Sequence, residues 1–127
     1  MELKQLTAGD IMLRDVITIG PGEILPVAKL KTLRRGVGGL PVVGNGDLVG
    51  MITHRDVILA GDYVKNLKVS DIMSKNVVSV LEDTPLGELV RIMKDTGYQR
   101  LPVIRGSKLV GLITQSTIIN ALAEELG

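Results

Sequence analysis

Gly50-Met51-Ile52-Thr53-His54-Arg55-Asp56 is answered 61 positions later by Gly111-Leu112-Ile113-Thr114-Gln115-Ser116-Thr117. Working outward from that pair, the same offset aligns Leu48-Val49 with Leu109-Val110 and Leu40-Pro41-Val42 with Leu101-Pro102-Val103. It also aligns Val16 with Val77 and Asp10-Ile11-Met12 with Asp71-Ile72-Met73, without a gap. A repeat of this period is one supersecondary unit used twice, and it governs every other reading of the chain. The copies fall at 1–61 and 62–127, and little sequence remains for a separate catalytic domain. A unit of about 60 residues buries too little surface to be comfortably stable alone, so the copies are expected to share a core.

Each copy reads as β-α-β-β-α. In the second, Val77–Val80 is a β-branched run, a strand signal. Lys68 to Met73 opens the copy with a short turn, Ser70 or Asp71 serving as N-cap. Thr84-Pro85 predicts a helix start, with Leu86, Leu89, Val90 and Met93 forming one apolar stripe and Gly97 ending it. Arg100–Ile104 and Lys108–Thr114 form a hairpin around Arg105-Gly106-Ser107, and Gln115–Leu126 is again helical. The first copy repeats the order: strand Val16–Ile19, helix Glu23–Arg35 stopped by Gly36, hairpin Leu40–Val43 and Asp47–Thr53 around Gly44-Asn45-Gly46, and helix His54–Ala60. Gly61–Leu67 is the linker. The fold class is therefore α/β (α+β). Helices would cover one sheet face, and the equally apolar other face would be buried sheet to sheet against the second copy about a pseudo-twofold axis.

Composition narrows the function. Fifteen Lys and Arg balance fourteen Asp and Glu, with no basic run, so nucleic-acid or membrane attraction is not supported. Two Tyr and no Phe or Trp leave no stacking platform for single strands. Without Cys, disulfides and thiolate metal sites are excluded, and with His54 the only histidine there is no His cluster. Neither a signal peptide nor a membrane-length apolar run is present, and a soluble cytoplasmic protein is expected. No nucleophile–base pattern supports catalysis, so the chain reads as a non-enzyme.

The three strings per copy, in order and twice over, resemble the cystathionine β-synthase (CBS) domain family, whose members occur as tandem pairs called Bateman modules. The resemblance covers Thr7 to Ala121. It implies a stand-alone regulatory module holding an adenosine ligand (AMP, ADP, ATP or S-adenosylmethionine) in one or both clefts between the copies, with no cofactor required. It implies a homodimer acting on an effector protein, with Leu59, Ile118, Ile119 and Leu122 as candidates for the dimer surface or for internal packing. A ligand-independent dimeric scaffold and an accessory protein related to IMP dehydrogenase are the alternatives.

The resemblance also assigns residues. Thr53 and Asp56 would meet the ribose, a carboxylate being able to accept from two vicinal hydroxyls. The same two residues also suit a helix cap and first-turn acid. Thr114 and Thr117 are their counterparts; Thr117 lacks the charge that makes such hydrogen bonds about twice as strong. Arg100 is the phosphate cation by its planar fork, or a solvated strand-edge residue, and its counterpart is Gly39. His54 and Arg55 are further phosphate candidates, or solvated first-turn residues. An adenine pocket would draw on Met12, Val16, Ile17 and Pro41 from copy one and on Met73, Val77, Val78 and Pro102 from copy two. Core packing is the competing role for Met12 and Met73. No metal ligands are expected.

Overall fold

The structure, a computed structural model, describes residues 5–61 and 66–126. In chain order the elements are α1 (Ala8–Ile11), α2 (Leu25–Arg35), β1 (Gly39–Gly44), β2 (Asp47–Thr53) and α3 (His54–Ala60). Then come α4 (Val69–Ile72), α5 (Leu86–Thr96), β3 (Arg100–Arg105), β4 (Lys108–Thr114) and α6 (Gln115–Leu126). The offset found in the sequence carries α1 onto α4, α2 onto α5, and each hairpin onto the other. The fold is mixed α/β, with antiparallel strands and flanking helices.

Both hairpins are built alike. Gly44 pairs with Asp47 and Gly39 with Thr53, as Arg105 pairs with Lys108 and Arg100 with Thr114. Asn45 (φ 53°) and Gly46 (φ 82°) both turn left-handed, the geometry a two-residue connection needs to match strand twist. In each hairpin the register slips once, between Val42 and Val43 and between Val103 and Ile104, a β-bulge at equivalent positions. Gly36 and Gly97 end α2 and α5 in the left-handed conformation, as their sequences predicted.

Some local expectations are revised. The strands predicted at Val16–Ile19 and Val77–Val80 pair only through Ile19 (with Val42) and Val80 (with Val103), each a single parallel bridge. β-branching there serves burial more than ladder formation. The first long helix starts at Leu25, not Glu23, with Pro26 in its first turn where a missing N–H is harmless. At the second, Pro85 is the N-cap, and the Thr84 hydroxyl instead accepts from Leu81 N–H at 3.1 Å. Asp71 lies inside the first turn of α4, not at its cap. Residues 62–65 of the expected linker lie outside the described residues.

The chain forms two compact units that are offset from the sequence repeats: a continuous one, Ile17–Val77, and a discontinuous one, Met1–Val16 with Val78–Gly127. The opening segment of each copy thus packs with the body of the other. In the discontinuous unit, Ala8 N–H donates to Thr84 O and Gly9 N–H to Glu82 O (both 2.8 Å), and Leu86 N–H donates back to Leu6 O. In the continuous unit, Val69 N–H donates to Glu23 O, Ser70 N–H to Pro21 O and Leu25 N–H to Leu67 O. These bonds satisfy N–H groups that the first turns of α1, α2, α4 and α5 leave open.

Side chains complete each docking. Met12 is buried in the core of the discontinuous unit with Leu89, Leu101, Val103 and Ile113. It lies against Gly111, whose missing Cβ makes room for its sulfur. Met73 does the same over Gly50 beside the core of Leu25, Leu40, Val42 and Ile52. The packing role for Met12 is thereby realised.

Candidate nucleoside-binding junctions

Each unit has one strand-to-helix junction of interest. In the continuous unit β2 ends at Thr53 and α3 begins at His54. The Thr53 hydroxyl accepts from Asp56 N–H at 3.2 Å, and Asp56 Oδ2 accepts from Thr53 N–H at 2.9 Å, a closed capping box. The capping role foreseen for this pair is therefore real. It recurs: Asp10 Oδ2 accepts from Thr7 N–H and Asp71 Oδ2 from Lys68 N–H. Asp56 is half-buried, whereas Asp10 and Asp71 are exposed. Its Oδ1 has no partner among the described residues, so one carboxylate oxygen holds the helix while the other can still accept from a hydroxyl.

The surroundings of Asp56 are polar and shaped by backbone. Gly39 stands opposite Thr53 across the hairpin, and Gly38 O accepts from His54 N–H at 2.8 Å. Beside β1 runs the Ile17–Ile19 segment, where Ile19 N–H donates to Pro41 O and Ile19 O accepts from Val43 N–H. His54 is half-buried and not solvated as a free first-turn residue. Its Nδ1 lies 3.5 Å from the hydroxyl of Thr32 on α2, which itself donates to Lys29 O at 2.8 Å. Arg55 is exposed. Pro41 is fully buried, Ile17, Met73 and Val77 half-buried.

The junction of the discontinuous unit is chemically different. Thr117 is buried, 7 % exposed. Its hydroxyl accepts from Thr114 N–H at 2.9 Å and donates to Thr114 O at 2.8 Å, while Thr114 Oγ1 accepts from Thr117 N–H. The threonine replaces the carboxylate in the cap, and its only proton is committed there. Arg100 stands opposite Thr114, half-buried, and desolvation lowers its pKa from the usual guanidinium value. A guanidinium so placed remains charged and gains from an anion that replaces lost water. Val16 and Val78 are half-buried and Pro102 fully buried.

The structure therefore divides the site candidates. Thr53, His54, Asp56, Ile17, Pro41, Met73 and Val77 belong to the continuous unit; Arg100, Thr114, Thr117, Met12, Val16, Val78 and Pro102 belong to the other. Lys31 and Thr32 were missed in the sequence reading. The offset itself could have found them, because their counterparts are Ile92 and Met93. Among the described residues no group of three or more His, Asp or Glu side chains is placed to hold a metal ion. No described helix is long and apolar enough to cross a membrane.

Two repeats of the order helix-helix-strand-strand-helix, each with a capped Gly-x-x-Thr junction between its last strand and its last helix, define a tandem-repeat α/β module. The CBS domain model matches residues 8–62 and again 69–124, and the chain belongs to the CBS domain family as a tandem pair. It is similar to the inosine-5′-monophosphate dehydrogenase of Methanocaldococcus jannaschii, 39% identical over 114 residues, 88% of this chain and 23% of that protein. The chain thus spans about a quarter of the length of that relative. Among solved structures it is similar to CBSX2 of Arabidopsis thaliana in complex with AMP, with a TM-score of 0.88 and 26% identity, covering 96% of this chain and 99% of that one. It is also similar to a CBS domain pair in complex with 5′-methylthioadenosine and S-adenosyl-L-methionine, with a TM-score of 0.82 and 26% identity, covering 94% and 97%.

Proposed function

We propose that this chain is a regulatory, non-catalytic module that binds an adenosine nucleotide or adenosyl compound, with Thr53 and Asp56 at the ribose. The observation that carries the reading is the Asp56 carboxylate: half-buried, fixed by one oxygen in the cap, and open at the other. A carboxylate held this way needs no reorganisation to accept hydroxyl protons. The AMP, 5′-methylthioadenosine and S-adenosylmethionine complexes of similar CBS pairs support the ligand class. The module would act in the cytoplasm by linkage: a ligand favouring one arrangement shifts its population, which an effector protein senses. Exposed Leu59 (74%) and Ile119 (62%) suit a homodimer surface, whereas Ile118 is buried in the core and Leu122 packs against it. Similarity to the dehydrogenase favours a second reading, an accessory role beside a purine nucleotide enzyme.

Thermal unfolding with AMP, ADP, ATP, S-adenosylmethionine and NAD tests this. A ligand at 100 times its Kd adds about 2.7 kcal/mol, which in a chain of this size raises Tm by about 5–10 °C. Asp56→Ala should abolish that rise, as should Asp56→Thr, which keeps a cap acceptor as Thr117 does. Five flat curves from folded protein would leave the ligand-independent scaffold.

A further inference from the structure

The continuous unit has no cation where the other has Arg100, because β1 opens with Gly39 opposite Thr53. Its positive charge is instead on α2. The α2 sequence carries Lys29, Lys31, Arg34 and Arg35 and no acid, whereas α5 balances Arg91 and Lys94 with Glu88 and Asp95. Arg34 and Arg35 sit in the last turn, where cations complement the helix dipole, and are exposed. Lys31 is neither at the helix end nor fully exposed. It occupies the position that Ile92 fills in α5, against the core of the discontinuous unit. An ammonium in place of an apolar side chain loses hydration and needs compensation.

Lys31 is also in the right place. Its Nζ donates to Thr18 O at 2.9 Å, in the extended segment beside β1. The next residue, Thr32, faces the His54 ring, and His54 N–H is bonded to Gly38 O. One turn of α2 thus touches both the Ile17–Ile19 segment and the start of α3, with two residues lacking side chains, Gly38 and Gly39, at the same end. Thr18 O uses one of the three ammonium donors, and no carboxylate among the described residues pairs with Lys31. Copy one therefore has Lys on the helix and Gly on the strand, and copy two has Ile on the helix and Arg on the strand.

We infer that Lys31 is the specificity-determining cation of the continuous unit, selecting adenosine ligands with an anionic 5′ group, such as a phosphate, over uncharged ones. This rests on the adenosine reading above and adds to it the charge of the ligand and the residue that reads it. Gly38 and Gly39 let the anion approach the backbone, and Lys31 supplies the charge that a strand arginine supplies in copy two.

Calorimetric titration of the full chain with AMP and with 5′-methylthioadenosine, which lacks the phosphate, is the test. Loss of a hydrogen bond to a charged group predicts that Lys31→Met weakens AMP roughly 10- to 100-fold, with 5′-methylthioadenosine unchanged and Lys31→Arg close to wild type. If Lys31 only pins Thr18 O, Lys31→Met weakens both ligands alike, and the inference fails. If Arg100→Met removes the preference for AMP while Lys31→Met keeps it, the anion is read by the discontinuous unit, and the inference again fails. Wild-type protein that binds neither compound overturns the adenosine reading itself, and this inference with it.

Discussion

Gly111→Ala and Gly87→Ala are the same chemical change, one methyl group, and the structure gives them opposite signs. A Cβ on Gly111 would overlap Met12 Sδ, come within 2.7 Å of Met12 Cγ and lie 3.0 Å from Leu13 O. The sulfur can swing aside, but Leu13 cannot follow, because it exchanges two backbone bonds with Leu112 at 2.9 and 3.0 Å. Either the bridge breaks or Met12 leaves a well-packed core. Overfilling such a core costs about 1–3 kcal/mol, which in a chain of this size lowers Tm by about 3–15 °C. Gly87, in the first turn of α5, has open space around its missing Cβ. There alanine restricts the unfolded chain and suits the helix, for a gain of about 0.5–1 kcal/mol. Circular dichroism melts of the three proteins decide the matter. Gly111→Ala melting at or above wild type would refute the close seating of Met12 on bare backbone. A fall for Gly87→Ala would refute the reasoning about open helical positions.

Thr117→Val keeps the shape of a buried residue and removes the acceptor for Thr114 N–H, so chemical denaturation should show a loss of about 1–3 kcal/mol. Ser at 117 should recover most of it. Of two marginal fragments of equal length, Ile17–Val77 should resist urea better than residues 1–61, the sequence repeat, because the latter lack Val69 and Met73. Equal behaviour of the two fragments would contradict the division into units. The Asp56 and Lys31 variants complete the set.

The architecture was legible because its signals are local and doubled. Turn glycines, apolar stripes and the hairpin pattern each appear twice at one offset, and Gly36 and Gly97 stop their helices where the sequence says they should. What the sequence could not give is which copy a segment packs on: Asp-Ile-Met reads the same whether Met12 covers Gly50 or Gly111. That choice depends on long-range packing, to which periodicity is blind. At the junctions, residue type announced Thr53 and Asp56 but not how their valences are shared. The cap takes one Asp56 oxygen and the whole Thr117 proton, a difference visible only in the folded structure. Lys31 escaped because a lysine on a helix usually marks a solvated face; its alignment with Ile92 was the available signal, and its partial burial against Thr18 confirms it.

The exchange of opening segments gives the polypeptide an order of completion. The continuous unit has all its residues once Val77 has been made, and can close while the rest of the chain is still being synthesised. Met12, made earlier, has no Gly111 to sit on until the second hairpin has been made. The opening segment of the first repeat is thus made before the continuous unit and finds its place after it. Loss of the C-terminal half would therefore strand the opening helix, and duplication of a single sequence repeat would have had to create both units at once.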